Sequence, residues 1–581
     1  MKINYLAIVL FSVVAIAASA QTNKKNSSAK KPQAEPVKVD PVPEPIVAPV
    51  VEQPAIVVST DLPRPKLVVG IVVDQMRWDY LYRYYSRYGN NGFKRLLNEG
   101  FSCENNNLDY IPTVTAVGHT SVYTGSVPAL NGIAGNDFIV QATGKSMYCT
   151  DDTSVRSVGA VTDAGKMSPR NLLTTTVTDE LRLATNFKSK VIGIALKDRG
   201  GILPAGHTAN AAYWFDDKSG NWITSTYYMN ELPQWMKDFN DQKLPETYLK
   251  LDWTTLYPIE TYTLSTPDDN KYEGAFKGMD APTMPVKTSA LYKSAGLGLI
   301  RTTPYGNTMT IDLAVAAING EQLGQRDITD FLALSLSSTD YIGHQFGINA
   351  IEIEDTYLRL DRDIASFLTY LDAKIGVGNY TVFLTADHGA AHNPTFLQDH
   401  NIPAAVWDDG TVLKDLNKFL SDKYKIDGLV ISLLNYQVNL NNYAINYIHM
   451  DENALKNDCI RFLEKVPGVA FAIDMKKAGD ANIPEELRTR IINGYNIEHS
   501  GAIQIILKPG YFSGKNTTGT THGTWNPYDA HNPFVLMGWG IQHGKTNRET
   551  HMTDIAPTIA ALLHIQAPNG SIGKVVYEAL K

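Results

Sequence analysis

Six short apolar runs constrain the fold of this chain more than any other feature of its sequence. Each run lacks alternation and is apolar on both faces, which is typical of strands buried within a largely parallel sheet. They are KLVVGIVVD (66–74), KVIGIAL (190–196), DFLALSLSSTD (330–340), NYTVFLTADHG (379–389), AIQIILK (502–508) and PFVLMGWG (533–540). Amphipathic helices are predicted over 355–375, 451–466 and 553–563. Strands alternating with helices predict a three-layer α/β/α sandwich with a mostly parallel central sheet.

The N-terminus predicts export. An apolar run follows Met1 and Lys2, and a small-residue site, AASAQ, follows the run. The run is too short to span a bilayer, so residues 1–20 are predicted to be a cleaved signal peptide. Residues 21–64 are rich in Pro, Ala and Lys, which is typical of an extended linker. We therefore expect a periplasmic or secreted protein without a membrane anchor.

The remaining residues, 66–581, are predicted to form one catalytic domain. Two stretches, near 200–300 and 395–500, interrupt the strand–helix alternation and are interpreted as insertions that shape the mouth of a site. The net charge of −8 and the pI near 5.9 do not favour a nucleic-acid partner.

The cysteines do not predict a metal site. Only three occur among the 581 residues, and none has CxxC spacing, which argues against thiolate ligands. The sequence leaves open a disulfide bond between Cys103 and Cys149, which would leave Cys459 free.

Acidic residues end three of the apolar runs. These residues are Asp74, Asp340 and Asp387, and the last is followed directly by His388. The carboxyl ends of strands line the ligand crevice of open α/β sheets, so these side chains can meet there. His344 follows Asp340 at i,i+4, which puts both on one face if the segment enters a helical turn.

Three carboxylates and three imidazoles suit two zinc ions. The third imidazole is His522, in the loop GTTHGTWNPYDAHNP. Mixed oxygen and nitrogen ligands favour zinc over calcium or magnesium, and three protein ligands per ion leave a position open for chemistry. Taken singly, each motif has a plainer interpretation as a surface ion pair, a helix cap or a loop donor. A non-catalytic module braced by metals is disfavoured, because structural zinc sites normally have four protein ligands.

The order and type of these residues resemble the alkaline phosphatase superfamily, specifically its single-chain bacterial phosphate monoesterases of the PafA type. The motifs that carry the resemblance are Asp74, the Thr115 region, TDYIGH, ADHG and THGT, and it covers roughly residues 66 to 581. It implies that Asp340, His344 and His522 bind one zinc ion. It also implies that Asp74, Asp387 and His388 bind the other, with Thr115 as a further ligand.

The segment PTVTAVGHT holds the candidate nucleophile. From the residues alone, Thr115 has little advantage over Thr113; the resemblance selects Thr115 and implies a covalent phosphothreonine. A helix N-terminus and a zinc ion would both stabilise its alkoxide. The neighbouring hydroxyls Thr120, Ser121 and Thr124 are interpreted as capping and packing groups.

A monoesterase needs donors for a doubly charged phosphoryl group. Lys197 and Arg199 in ALKDRGG lie two apart, and on a strand they would share a face. Asn136 offers an amide. The resemblance implies that all three contact the phosphoryl group and that Lys197 stands where some relatives hold a third metal. A solvated strand end is the plainer alternative for Lys197 and Arg199.

The sequence therefore predicts an exported di-zinc phosphate monoesterase, with two Zn²⁺ per chain, acting on small phosphate esters as a monomer. The alternative is a nucleotide pyrophosphatase/phosphodiesterase that uses the same metal ligands. The Trp- and Tyr-rich stretch 210–240 keeps that alternative open, because aromatic rings could stack on a base. A sulfatase is disfavoured, because neither Cys103 nor Cys149 lies in a C-x-P-x-R motif.

Overall fold

The computed structural model of the chain describes residues 62–514 and 517–581. The predicted signal peptide and almost all of the predicted linker lie outside these residues. In the described part of the chain, no helix is both long and apolar enough to cross a bilayer.

The strands of the described residues supply a central sheet, an antiparallel sheet and two small pairs. In chain order they are β1 (Leu67–Val73), β2 (Phe101–Asn107), β3 (Asp137–Val140), β4 (Lys145–Tyr148), β5 (Ser157–Val158), β6 (Val191–Ala195), β7 (Ala211–Asp216), β8 (Asn221–Ser225), β9 (Asp330–Leu336), β10 (Tyr380–Thr385), β11 (Ala405–Trp407), β12 (Val430–Ser432), β13 (Gln437–Leu440), β14 (Val469–Asp474), β15 (Ile503–Leu507), β16 (Tyr511–Ser513), β17 (Phe534–Gly538) and β18 (Gly544–His551).

The central sheet has the order β18-β2-β17-β10-β1-β9-β6-β7-β8-β5. Its middle strands, β10, β1, β9, β6 and β7, are parallel neighbours, while β17 and β8 pair in antiparallel fashion at the two flanks. Parallel strands need crossover connections, which the helices provide. The predicted fold class, a sandwich around a mostly parallel sheet, is confirmed.

The α-helices of the described residues lie mainly between these strands. They are α1 (Tyr80–Arg83), α2 (Phe93–Glu99), α3 (Thr115–Thr124), α4 (Pro128–Asn131), α5 (Val177–Ala184), α6 (Asp198–Ala205), α7 (Gln234–Asp241), α8 (Leu244–Leu249), α9 (Thr288–Ala295), α10 (Tyr305–Glu321), α11 (Ser338–Phe346), α12 (Ile351–Lys374), α13 (Pro394–Asp399), α14 (Asp409–Tyr424), α15 (Asn442–Tyr447), α16 (Glu452–Leu463), α17 (Glu485–Gly494), α18 (Pro527–Ala530) and α19 (Ile555–Leu562).

Strand β1 shows why the apolar runs do not alternate. Val69 and Ile71 belong to a core that also holds side chains of α10 and α12. Val68 and Val72 point to the other face, into a core shared with α3 and α19. Because successive side chains of a strand point to opposite faces, a strand covered by helices on both sides must be apolar throughout.

One of the six runs was assigned to the wrong sheet. Strand β15, from the run 502–508, lies in a separate antiparallel sheet of order β12-β13-β15-β14, which has its own hydrophobic core. A buried run shows that both faces of a strand are covered, but it does not show which strands are its neighbours.

The aromatic stretch 210–240 is largely internal. Tyr213, Trp214 and Trp222 are buried in β7 and β8, so these rings are not available to stack on a ligand. The three cysteines are also buried, and all are free, so the bridge between Cys103 and Cys149 is not formed.

Candidate active site

The three acids meet because their strands are neighbours. Strand β1 lies between β9 and β10, and all three run in the same direction. Asp74 directly follows β1, Asp387 lies just beyond β10, and Asp340 is in the first turn of α11, which follows β9. All three carboxylates are buried. The carboxyl edge of the sheet therefore carries three buried acids side by side.

Thr115 is the first residue of α3 and is buried beside these acids. Its Oγ1 lies 3.5 Å from Nε2 of His388 and 3.4 Å from Nζ of Lys197. Backbone N–H groups at a helix N-terminus are free of intrahelical partners and favour negative charge. Thr113, by contrast, donates its hydroxyl to the carbonyl of Thr524, which leaves Thr115 as the hydroxyl facing the acids.

One ligand cluster surrounds Asp340. Its Oδ1 lies 3.2 Å from Nε2 of His344 and 3.6 Å from Nε2 of His522. Asp340 and His344 share helix α11, at the i,i+4 spacing, whereas His522 comes from the loop before α18. These three side chains lie close enough together to hold one metal ion.

A second cluster surrounds Nε2 of His388. Oδ2 of Asp387 is 3.4 Å away and Oδ1 of Asp74 is 3.6 Å away, with Thr115 Oγ1 at a similar distance. Around His388, the three side chains close enough together to hold one metal ion are Asp74, Asp340 and His388, so Asp340 takes the place that the sequence analysis gave to Asp387 in this compact set. Asp340 thus lies between the two clusters.

Backbone carbonyls orient all three imidazoles. Nδ1–H of His344 donates to the carbonyl of Thr520 at 2.8 Å, that of His522 to Thr113 at 2.8 Å, and that of His388 to Gly389 at 3.0 Å. A carbonyl can only accept, so each Nδ1 carries a proton, and each Nε2 faces the carboxylates of the clusters. Metal-binding histidines are commonly fixed in this way.

Buried carboxylate oxygens show that the acids fit cations. Oδ1 of Asp74 is buried and has no hydrogen-bond partner, and Oδ2 of Asp387 is buried within 3.4 Å of ring nitrogens of His119 and His388. Burial and the charge of Asp387 raise the pKa of Asp74 well above its usual value. Burial acts to raise the pKa of Asp340 too, but His344 and Lys197 outweigh it and hold that pKa well below its usual value. Burial and His388 lower the pKa of His522, which leaves it a neutral ligand. The donor set therefore matches zinc.

Lys197 lies between the clusters. Its ammonium donates to Oδ2 of Asp74 and to Oδ2 of Asp340, each at 2.6 Å. Burial acts to lower the pKa of Lys197, but the two carboxylates raise it above its ordinary value, so the group stays charged. A fixed positive charge thus lies beside the Thr115 hydroxyl.

Arg199 lies on a helix rather than on a strand. Strand β6 ends at Ala195, and Lys197 precedes α6, so the strand-based argument for a shared face was wrong. Arg199 donates to the hydroxyl of Tyr148 at 3.0 Å, and its Nε is buried without a partner. Oδ1 of Asn136 accepts from the N–H of Ala116 at 2.9 Å, which holds this amide beside the start of α3.

Two further residues contact the candidate ligands: Gln75, which the sequence analysis did not single out, and His119, to which it gave no metal role. Gln75 has a φ of +65°, a conformation that costs energy in a non-glycine residue. It donates through Nε2 to Asp340 at 2.7 Å and through its backbone to Asp387 at 3.1 Å. His119 donates to the carbonyl of Thr115 at 2.9 Å, and the same Nδ1 lies 3.2 Å from Asp387. The i,i+4 spacing of His119 from Thr115 is the sequence signal for this contact, because residues at that spacing share one face of a helix.

Residues 68–531 match the type I phosphodiesterase / nucleotide pyrophosphatase family. The chain belongs to this family. A protein of Myroides odoratus named calcium-transporting ATPase is 62% identical over 91% of this chain and 97% of its own length. Alkaline phosphatase PafA of Elizabethkingia meningoseptica is 52% identical over 89% of this chain and 95% of its own. The predicted resemblance to PafA-type enzymes is thus confirmed.

A crystal structure of PafA shares the fold of this family member. It superposes with a TM-score of 0.88 at 51% identity, covering 90% of this chain and 100% of the PafA chain. A PafA variant with a threonine changed to serine and an asparagine, a lysine and an arginine changed to alanine gives a TM-score of 0.87 at 50% identity, with coverage of 90% and 100%.

Proposed function

We propose that this chain is an exported alkaline phosphatase that hydrolyses small phosphate monoesters through a phosphothreonine at Thr115, with two zinc ions per chain. The observation that carries the proposal is the placement of the Thr115 hydroxyl, buried at a helix N-terminus within 3.5 Å of a candidate metal ligand and of a lysine ammonium. A lone threonine is unreactive at its own pKa, and such surroundings activate it.

The two clusters would each hold one zinc ion. Asp340, His344 and His522 would bind the first, and Asp74, Asp387 and His388 would bind the second together with Thr115. When bound, zinc supplies positive charge that stabilises oxyanions and lowers the pKa of a coordinated hydroxyl or water.

The proposed reaction has two covalent steps, attack by Thr115 and hydrolysis of the phosphothreonine. Thr115 Oγ would attack phosphorus in line, so that an Oγ–P bond forms while the bond from phosphorus to the ester oxygen breaks. The Thr115 hydroxyl gives up its proton to water as this bond forms, and the departing alkoxide takes one proton back from water, so no proton is gained or lost in the first step. A second water then attacks the phosphothreonine, which restores the threonine hydroxyl and releases inorganic phosphate.

Three donors would hold the phosphoryl oxygens during both steps. Lys197 supplies a fixed charge, Arg199 has an unpartnered buried Nε, and Asn136 would offer its amide N–H₂ while its oxygen accepts from the N–H of Ala116. Donors fixed before the reaction stabilise developing charge most effectively. The PafA variant described above changes the same four residue types in the same order as Thr115, Asn136, Lys197 and Arg199, with one residue between the lysine and the arginine in both chains.

A phosphodiesterase with the same metal ligands is the second candidate, because the matched family includes such enzymes. A diester has one charge fewer at phosphorus and a second ester group to accommodate. The buried ammonium of Lys197 at the nucleophile favours the doubly charged monoester. The buried rings of Tyr213, Trp214 and Trp222 remove the most direct support for a base-binding pocket.

Residues 1–20 would direct export. Residues 66–581 would form one catalytic domain, with insertions near 200–300 and 395–500. Mass spectrometry of the protein recovered from outside the cytoplasm should find a mature N-terminus at Gln21. An intact Met1 in that fraction would contradict the leader. Light scattering should give the mass of a single chain.

The catalytic proposal is tested with p-nitrophenyl phosphate. The wild type should turn it over, lose activity to a chelator and regain it with Zn²⁺. Thr115→Ala should lose at least about 10³-fold in kcat, as loss of a nucleophile does in other hydrolases, and Thr113→Ala is the matched control. Trapping with substrate at low pH should place a phosphate on Thr115. Full activity of Thr115→Ala, or of protein without zinc, would refute the proposal.

A further inference from the structure

Arg199 is anchored by a single hydrogen bond. Its Nη1 donates to the hydroxyl oxygen of Tyr148 at 3.0 Å, and this oxygen is the only acceptor that the described residues offer to the guanidinium. The Nε of Arg199 is buried without a partner. A guanidinium carries five N–H donors in a rigid fork, so one anchored donor orients the group while the others stay open to a ligand.

The Tyr148 hydroxyl has a fixed direction. It lies 2.9 Å from Oδ1 of Asp198, whose Oδ2 accepts from the hydroxyl of Thr150 at 2.5 Å. An ionised carboxylate can only accept, so Tyr148 donates its one proton to Asp198 and turns a lone pair toward Arg199. Burial raises the pKa of Tyr148 well above its usual value, so the hydroxyl keeps this proton.

The anchor of Arg199 is neutral, although an acid is its neighbour in the sequence. Within the described residues, Asp198 forms no ion pair with Arg199 or with Lys197, and its two oxygens accept from the hydroxyls of Tyr148 and Thr150 instead. A carboxylate bound directly to the guanidinium would occupy its fork and offset its charge. The tyrosine oxygen holds the guanidinium and leaves its charge available to an anion.

The hairpin that carries Tyr148 also holds Asn136. Tyr148 ends β4 and pairs with Asp137 at the start of β3, and Asn136 directly precedes β3. The N–H of Cys149 donates to the carbonyl of Asn136 at 2.9 Å, which closes the open end of the hairpin. Side chains of this hairpin, of α3 and of α6 share one small core. The hairpin therefore holds Asn136 and, through Tyr148, Arg199 in a fixed relation to each other.

We propose that Tyr148 is a positioning residue, whose hydroxyl oxygen holds the Arg199 guanidinium where it binds the transferred phosphoryl group. The inference rests on the proposed phosphatase function, in which Arg199 contacts that group. The plainer alternative is that Tyr148 only stabilises the hairpin, through packing and its bond to Asp198. The two roles differ in one respect: a positioning residue loses its effect when Arg199 is absent, and a packing residue does not.

A double-mutant cycle separates the two roles. The variants are Tyr148→Phe, which removes only the hydroxyl, Arg199→Ala, and the two together, each made in the full chain and loaded with zinc. Tyr248→Phe is the matched control, because its hydroxyl also donates to a carboxylate, that of Asp312, at 2.5 Å. Tyr248 and Asp312 lie on α8 and α10, which carry none of the proposed site residues.

Two measurements are made on each protein. Release of inorganic phosphate from methyl phosphate gives kcat/KM, and this ester is chosen because its poor leaving group keeps the first covalent step slow. Isothermal titration calorimetry with inorganic phosphate gives a Kd that requires no turnover. Zinc content and Tm are recorded for each variant, so that loss of metal or of folding is recognised.

Tyr148→Phe should lower kcat/KM about tenfold and raise the phosphate Kd by a similar factor, because a hydrogen bond to a charged group is lost. Arg199→Ala should lower kcat/KM at least about 100-fold. Adding Tyr148→Phe to Arg199→Ala should change neither quantity by more than about twofold. Tyr248→Phe should match the wild type in both quantities, even where its Tm falls.

Two results would overturn the inference. One is a loss from Tyr148→Phe that is equally large with and without Arg199, which would assign Tyr148 to packing alone. The other is an unchanged kcat/KM and phosphate affinity in zinc-loaded Tyr148→Phe. A wild type that binds phosphate but does not hydrolyse methyl phosphate would instead refute the phosphatase proposal, and the cycle in phosphate affinity would still decide the role of Tyr148.

Discussion

Replacing Lys197 by methionine removes a charge at the nucleophile while keeping side-chain length. Nζ lies 3.4 Å from Thr115 Oγ1, so a phosphoryl oxygen at that hydroxyl comes within about 4 Å of the ammonium. At an effective dielectric constant near 20, one additional substrate charge at that distance is worth about 4 kcal/mol. Asp74 and Asp340 share the ammonium, which reduces its effect on the substrate to about 2–3 kcal/mol. The preference for monoester over diester should therefore fall about 30- to 150-fold in Lys197→Met.

The assay compares kcat/KM for p-nitrophenyl phosphate and for bis(p-nitrophenyl) phosphate. Lys190→Met is the control, because Lys190 lies at the opposite end of β6 and pairs with Glu321 away from the site. Its ratio should equal that of the wild type. Zinc content is measured for each variant, since Lys197 also contacts two candidate ligands. An unchanged ratio in fully zinc-loaded Lys197→Met, or an equal loss for both esters, would refute the electrostatic argument.

Three other substitutions test how the site is supported. Gln75→Ala removes the donor to Asp340 and should weaken zinc binding about 10- to 100-fold, measured by competition with a chromophoric chelator; unchanged affinity would contradict this role. Gly118→Ala places a Cβ 2.2 Å from the carbonyl oxygen of Asp387. The free energy of unfolding should therefore fall by about 1–3 kcal/mol and activity should fall; thermal unfolding and turnover measure the two effects. Asp361→Ala leaves the N–H groups of Gly89 and of Phe93, the first residue of α2, without their acceptor. It should lower the free energy of unfolding in urea by about 1–3 kcal/mol with kcat preserved; a change in kcat instead would count against a purely structural role.

The sequence was sufficient to predict the central strands of the sheet and the acids that follow them. Asp74, Asp340 and Asp387 follow strands that are apolar on both faces, and a sheet covered on both sides leaves only its edges for polar groups. Their meeting at one edge follows from parallel neighbours, and the i,i+4 spacing of Asp340 and His344 follows from the helix that begins there. Local pattern and tertiary placement agree at these positions.

The other features of the fold and of the site depend on tertiary contacts, which no local sequence pattern indicates. The run 502–508 carries the same signal as a central strand, yet it pairs with β13 and β14. Lys197 and Arg199 have strand-like spacing, but the chain turns into α6 directly after β6. Gln75 lies in the site through a left-handed backbone conformation, which glutamine does not indicate in a sequence.

The main-chain carbonyls that hold the three imidazoles have a consequence for engineering. Copying only the ligand side chains onto another scaffold would leave the rings free to rotate and to exchange tautomers, and affinity would be lost at that step. Conversely, substitutions in the loop around Thr520 could retune which ion the protein selects without altering a single coordinating group. Variation in such loops is therefore a route by which relatives with identical ligands could diverge in metal preference.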